Sequence, residues 1–97
     1  MRRAARIDEN QPAIVAALRK VGAEVTPLHR VGQGVSDLLV SFRQQWWLME
    51  VKNPQKPKRD QKLKPDQVEW IGKQRAPVFV VYTPEEAVGI LSMARIP

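Results

Sequence analysis

The sequence predicts a mixed α/β sandwich, one sheet of about four strands flanked by helices, in the order helix, three strands, helix, strand, helix. Three observations predict it. Ile14, Val15, Leu18 and Val21 recur at three- and four-residue steps, the stripe of a helix buried on one side. Val35–Phe42, Trp46–Val51 and Val78–Tyr82 are short apolar runs bounded by turn signals, as in buried strands. Thr83-Pro84-Glu85-Glu86 combines a hydroxyl cap, a proline at the first helical position and a glutamate three residues after the cap, the signature of a helix start.

Each element has its own signals. The first helix runs between Ile7 and Val21, with Gly22 ending it. Pro12 suits its first turn, where a missing N–H costs little, which leaves open whether Glu9 lies in the helix or just before it. Val25–His29 reads as a short strand and Gly32-Gln33-Gly34 as a turn. Val35–Phe42 is apolar on both alternating sets apart from small serines and Asp37, so it reads as a strand covered on both faces, with Asp37 the exception inside it. Arg43-Gln44-Gln45 connects it tightly to Trp46–Val51, giving an antiparallel hairpin. Lys52–Lys64 holds Pro54, Pro57 and six basic residues and reads as a loop. Pro65 opens a second helix, Asp66 to about Arg75, with Val68 and Ile71 inward; Pro77 blocks its extension. Val78–Tyr82 is the last strand and the final helix ends near Ala94.

The 97 residues suit a single domain, 1–97, whose modest core favours association with a second copy. Net charge is +6 and the pI about 10.2, which favours an anionic partner such as nucleic acid. With no cysteine, disulfide scaffolds, thiolate zinc sites and cysteine nucleophiles are excluded, and a reducing cytosol fits. Arg2, Arg3 and Arg6 have no apolar stretch behind them, and no segment reaches membrane-spanning length, so the expected protein is soluble and unsecreted.

The chemistry concentrates in Asp37 and, thirteen residues on, Glu50-Val51-Lys52. Residues two apart on a strand face the same side, so Glu50 and Lys52 stand together while the neighbouring strand delivers Asp37. Two carboxylates beside an ammonium suit a hard divalent cation and an activated water, the equipment of a metal-dependent nuclease. An isolated E-x-K arises by chance about once in a few hundred positions. What gives it weight is the conjunction with the aspartate, the basic loop behind it and a glutamine opening the next helix.

Gly34-Val35-Ser36-Asp37, Glu50-Val51-Lys52 and Leu63-Lys64-Pro65-Asp66-Gln67 together resemble the VRR-NUC branch of the PD-(D/E)xK nuclease superfamily, especially its small stand-alone phage and bacterial members. The resemblance covers nearly the whole chain; Ser36 stands where the family usually has proline. It implies a restriction-endonuclease-like three-layer core and a site assembled from Glu9, Asp37, Glu50, Lys52 and Gln67. On that reading Asp37, Glu50 and the Val51 carbonyl would hold Mg²⁺ or Mn²⁺, with Glu9 as a further acid. Lys52 would orient or deprotonate water and Gln67 would fix the water or a phosphate oxygen. Lys56, Lys58, Arg59, Lys62 and Lys64 would track the DNA backbone. The expected substrate is branched DNA, a four-way junction or flap, cut by a homodimer in a bacterial or phage-infected cytoplasm. Resemblance to Holliday junction resolvases carries that expectation, and the absence of room for a sequence-reading domain agrees with it.

The plainer readings stand beside these. Glu50 and Lys52 can be a solvated pair at a strand end with Asp37 an edge charge. The loop 52–64 can serve a non-catalytic nucleic-acid-binding module, or merely solubilise, and an apolar surface can serve a larger protein assembly. Trp46 and Trp47 face opposite sides of their strand, which favours core or dimer packing over a stacking platform, and Trp70 is expected against the sheet. His29 reads as a polar strand-end residue.

Overall fold

The computed structural model describes residues 7–95, so Arg2, Arg3 and Arg6 lie outside the described residues. Helix α1 spans Gln11–Lys20, with Pro12 in its first turn as its missing N–H allows. Ile14 and Leu18 are fully buried, whereas Val21, expected in the same stripe, is 44% exposed because the helix has already ended. Gly22 takes the turn at φ +101°, a conformation that other L-residues reach only under strain.

The chain then forms β1 (Glu24–Pro27), β2 (Leu38–Phe42), β3 (Gln45–Val51), α2 (Pro65–Lys73), β4 (Val78–Val81) and α3 (Pro84–Leu91). The predicted order is the order found. The four strands lie in the order β1-β2-β3-β4, antiparallel except for the parallel β3–β4 pair, whose crossover contains the basic loop and α2. Arg43 and Gln44 both take positive φ, 49° and 66°, so the hairpin turns in two residues and Gln45 already belongs to β3.

Leu38, Val40, Trp47, Met49, Val51 and Val81 face one side of the sheet and bury against α1 and α3. Alternation sends Asp37, Leu39, Glu50 and Val80 to the other side, where α2 begins. Thr83 caps α3 as predicted, its hydroxyl accepting the Glu86 N–H at 3.1 Å. Among the described residues no helix is long and apolar enough to cross a membrane.

Four expectations change. Strand β2 starts at Leu38, so Asp37 stands just ahead of it, because the positive-φ turn through Gly32, Gln33 and Gly34 consumes Val35 and Ser36. Its outer face is only half covered at Leu39 and Ser41, so the strand is not sealed on both sides. Val68, expected inward, is 56% exposed, and α2 contains no buried residue. Within the 52–64 loop, Lys58–Asp60 forms one short 3-10 turn.

Candidate active site

Gly32, Gln33 and Gly34, at φ 66°, 57° and 81°, return the chain so that the Val35 N–H bonds the Gly32 carbonyl at 3.1 Å. This turns Ser36 and Asp37 inward, 0% and 8% exposed. Gly34 has a second duty, since a Cβ there would overlap the Asp66 carbonyl oxygen: the turn's backbone lies directly against the first turn of α2. One glycine thereby holds Asp37 and Gln67 in a common frame.

At the end of β3, Glu50 is 1% exposed and Lys52 6%. Asp37 Oδ2 accepts the Val51 N–H at 2.7 Å, tying the aspartate to the strand that carries the glutamate. Gln67 binds the rest together. Its Nε2 donates to Glu50 Oε2 at 3.0 Å, while its Oε1 accepts from Lys52 Nζ at 2.9 Å and from the Lys64 N–H at 2.9 Å. Lys52 Nζ lies 3.8 Å from Glu50 Oε2. Asp37, Glu50, Lys52 and Gln67, from three separate stretches of chain, are thus in one cluster.

Two carboxyls this deeply buried cannot both be charged without cost. Desolvation, followed by the negative charge of Asp37 and a hydrogen bond with it, pushes Glu50 up to about 9, against a partial offset from Lys52. Asp37 is also raised, chiefly by desolvation, while its hydrogen bonds with Glu50 and the Val51 N–H act the other way. Burial thus holds both carboxyls toward the protonated form, and their titration belongs to the two groups together.

The first expected acid falls elsewhere. Glu9 is exposed in the turn before α1, and its charge is not among those acting on Asp37 or Glu50. Its neighbour Asp8 does act on both, and accepts a 2.8 Å salt bridge from Lys56 of the basic loop. Pro12 fixes the start of α1 only after Asn10, which leaves Glu9 outside the helical register that would have turned it inward. Asn10 is a further residue the sequence did not reveal. It stands in the helix-cap position without capping; its Nδ2 donates instead to the carbonyls of Lys52 and Tyr82, both at 2.9 Å, stitching β3 to β4 at the site. An Asn two residues before a proline signals a cap, so its sequence signal pointed to a different job. The loop residues Lys56, Lys58, Arg59, Lys62 and Lys64 are all exposed beside the cluster.

A divalent cation fits this donor set. Glu50 Oε1 is buried and receives no hydrogen bond from an N–H or O–H donor among the described residues. Among the described residues no three His, Cys, Asp or Glu side chains converge as a cage. Two carboxylates with water and a phosphate suit Mg²⁺ or Mn²⁺, which keep several waters and do not need a full protein cage.

No family model matches the sequence, and no curated protein does. Among solved structures, a VRR_NUC domain superimposes with a TM-score of 0.61 at 28% sequence identity, over 86% of this chain and 90% of that one.

Proposed function

From the likeness of this chain to a VRR_NUC domain over most of its length, we propose a VRR_NUC-type nuclease, a Mg²⁺- or Mn²⁺-dependent endonuclease that hydrolyses DNA phosphodiester bonds at Asp37 and Glu50. The observation that carries this reading is the buried carboxyl pair, with a Glu50 oxygen that no N–H or O–H donor among the described residues satisfies. A solvated ion pair would not sit at 1% exposure, and strongly perturbed acids beside a basic surface are the mark of a working site. The same observation disfavours a binding module that uses only the loop 52–64.

Asp37 and Glu50, with the Val51 carbonyl, would hold the cation, which when bound supplies charge stabilisation at the phosphate and a more acidic water. Lys52, kept in place by Gln67, orients the attacking water and offsets the charge that develops on the phosphate oxygens. Gln67 has its amide engaged on both sides, so its work is to hold Glu50 and Lys52 in register rather than to grip the water itself. Asp8 takes the part expected of Glu9, adding negative charge to the site from the α1 side. Lys56, Lys58, Arg59, Lys62 and Lys64 steer the strand's phosphates toward the pair.

Branched DNA is the substrate we infer, because the exposed basic loop lies at the site and phosphate contacts register the path of the backbone rather than its sequence. Cutting a junction symmetrically takes two sites related by a two-fold axis, so a homodimer is the assembly we infer. A panel of single-strand, duplex, flap and four-way junction DNA with Mg²⁺, Mn²⁺ or chelator tests the assignment. Metal-dependent cleavage faster on branched substrates is expected, and Asp37→Ala should abolish it. Equal rates on every substrate would remove the structural selectivity, and cleavage by Asp37→Ala at the wild-type rate would remove the site.

A further inference from the structure

Beside the metal site lies an open cleft of about 620 Å³ whose lining is unlike the rest of the basic surface. Val80 and Tyr82 of the β4 side, Leu63 before α2 and Val68 on α2 make its walls, and Lys58 and Lys62 stand on its rim. Val68 and Val80 are 56% and 38% exposed, apolar surface left open next to charge. Val80 is the register partner of Glu50 in the parallel β3–β4 pair, so the floor of the cleft begins one strand, roughly 5 Å, from the backbone of Glu50 and on the same face of the sheet. Gln67, bonded to Glu50, immediately precedes Val68.

We propose that this cleft receives one unpaired nucleobase of the DNA strand next to the phosphate being cut. Its size is in the range of small-ligand sites. Its chemistry fits a nucleotide in both parts: apolar and aromatic walls for the flat face of a base, and two lysines at the mouth for the phosphates on either side. A base inside a duplex has both flat faces covered by its neighbours, so apolar walls can take the face of a base only where the strand is unpaired. The inference rests on the nuclease reading for its partner and sharpens it, since selectivity for branched DNA then comes from an unpaired nucleotide beside the cut rather than from overall shape.

The test is read in chelator, without cleavage. A branched DNA with 2-aminopurine at one unpaired position next to the branch is titrated with the protein, and the same DNA with an abasic residue there serves as comparison. Wild type should change the fluorescence of the base and bind the intact DNA about tenfold more tightly than the abasic one, the size of one base–aromatic contact. Tyr82→Ala should bind both alike. Val68→Asp, a change at an exposed position that the fold tolerates, should do the same by placing a negative charge in the cleft. Glu24→Gln, exposed on the far edge strand, should keep the full preference. Equal binding of intact and abasic DNA by wild type, or a preference that survives in both cleft variants, overturns the proposal. If the base preference holds while no metal supports cleavage, the cleft stands and the nuclease reading falls.

Discussion

Glu50 is the residue on which the account turns, and its environment makes a pH prediction with a definite sign. Its folded-state pKa, about 9, lies above the ordinary 4.5, so the folded metal-free protein holds a proton that the unfolded chain gives up. The stability contributed by that proton is full below about pH 4.5 and is lost as pH rises toward about 9. Thermal unfolding in chelator should therefore show Tm falling from pH 5 to pH 9, with Glu50→Gln removing most of the slope. That variant should also be more stable than wild type at pH 8, by on the order of 1–4 kcal/mol, because a neutral amide replaces a buried acid. A flat Tm profile in wild type would mean the pair is better solvated than its burial indicates. The motif at this scale was legible in the sequence, because strand alternation alone sets Glu50 beside Lys52. Asp8 and Asn10 were not, because periodicity cannot say which residue ahead of a proline-started helix turns toward the sheet.

Helix α2 shows what pattern alone misses at the scale of an element. Val68 and Ile71 have the spacing of an inward stripe, yet Val68 is exposed and no residue of α2 is buried. The helix is held by its first turn, through Gly34 against Asp66 and through Gln67 against Glu50, Lys52 and the Lys64 backbone. Trp70 and Ile71 are half-buried, so the helix keeps partial apolar cover, and the contacts of its first turn tie it to the site. Gly34→Ala should consequently act on the site rather than on the core. It adds strain at φ +81° and forces α2 away from the turn, so Gln67 loses its hold. We expect kcat to fall at least tenfold while the protein stays folded, with Gln67→Ala giving a similar loss; wild-type kcat in Gly34→Ala would show that α2 is positioned by something else. The strand order, the hairpin and the α3 cap were legible because turn residues and caps act locally, whereas the start of β2 shifted because three positive-φ residues in succession extend the turn.

For the molecule as a whole, the net charge of +6 gathers its function in the loop between β3 and α2, whose exposed lysines and arginine adjoin a buried acidic pair. On the proposed reading such an arrangement separates affinity from chemistry, the loop for holding phosphates and the pair for the cut. DNA affinity should therefore weaken steeply with salt, with a log–log slope reduced by roughly 1–2 in Lys58→Ala/Lys62→Ala. Asp37→Ala should leave that slope unchanged. An unaltered slope in the lysine variant would place the phosphate path elsewhere on the surface. On the proposed reading a bound cation would displace the proton that burial keeps on the pair. Isothermal titration of Mn²⁺ at pH 7 into wild type and Glu50→Gln measures that exchange directly. Wild type should bind with a heat that varies with the ionisation enthalpy of the buffer, the sign of proton release, and Glu50→Gln should lose the binding. Binding of Mn²⁺ by Glu50→Gln with wild-type affinity would contradict the central claim that Asp37 and Glu50 together hold the cation.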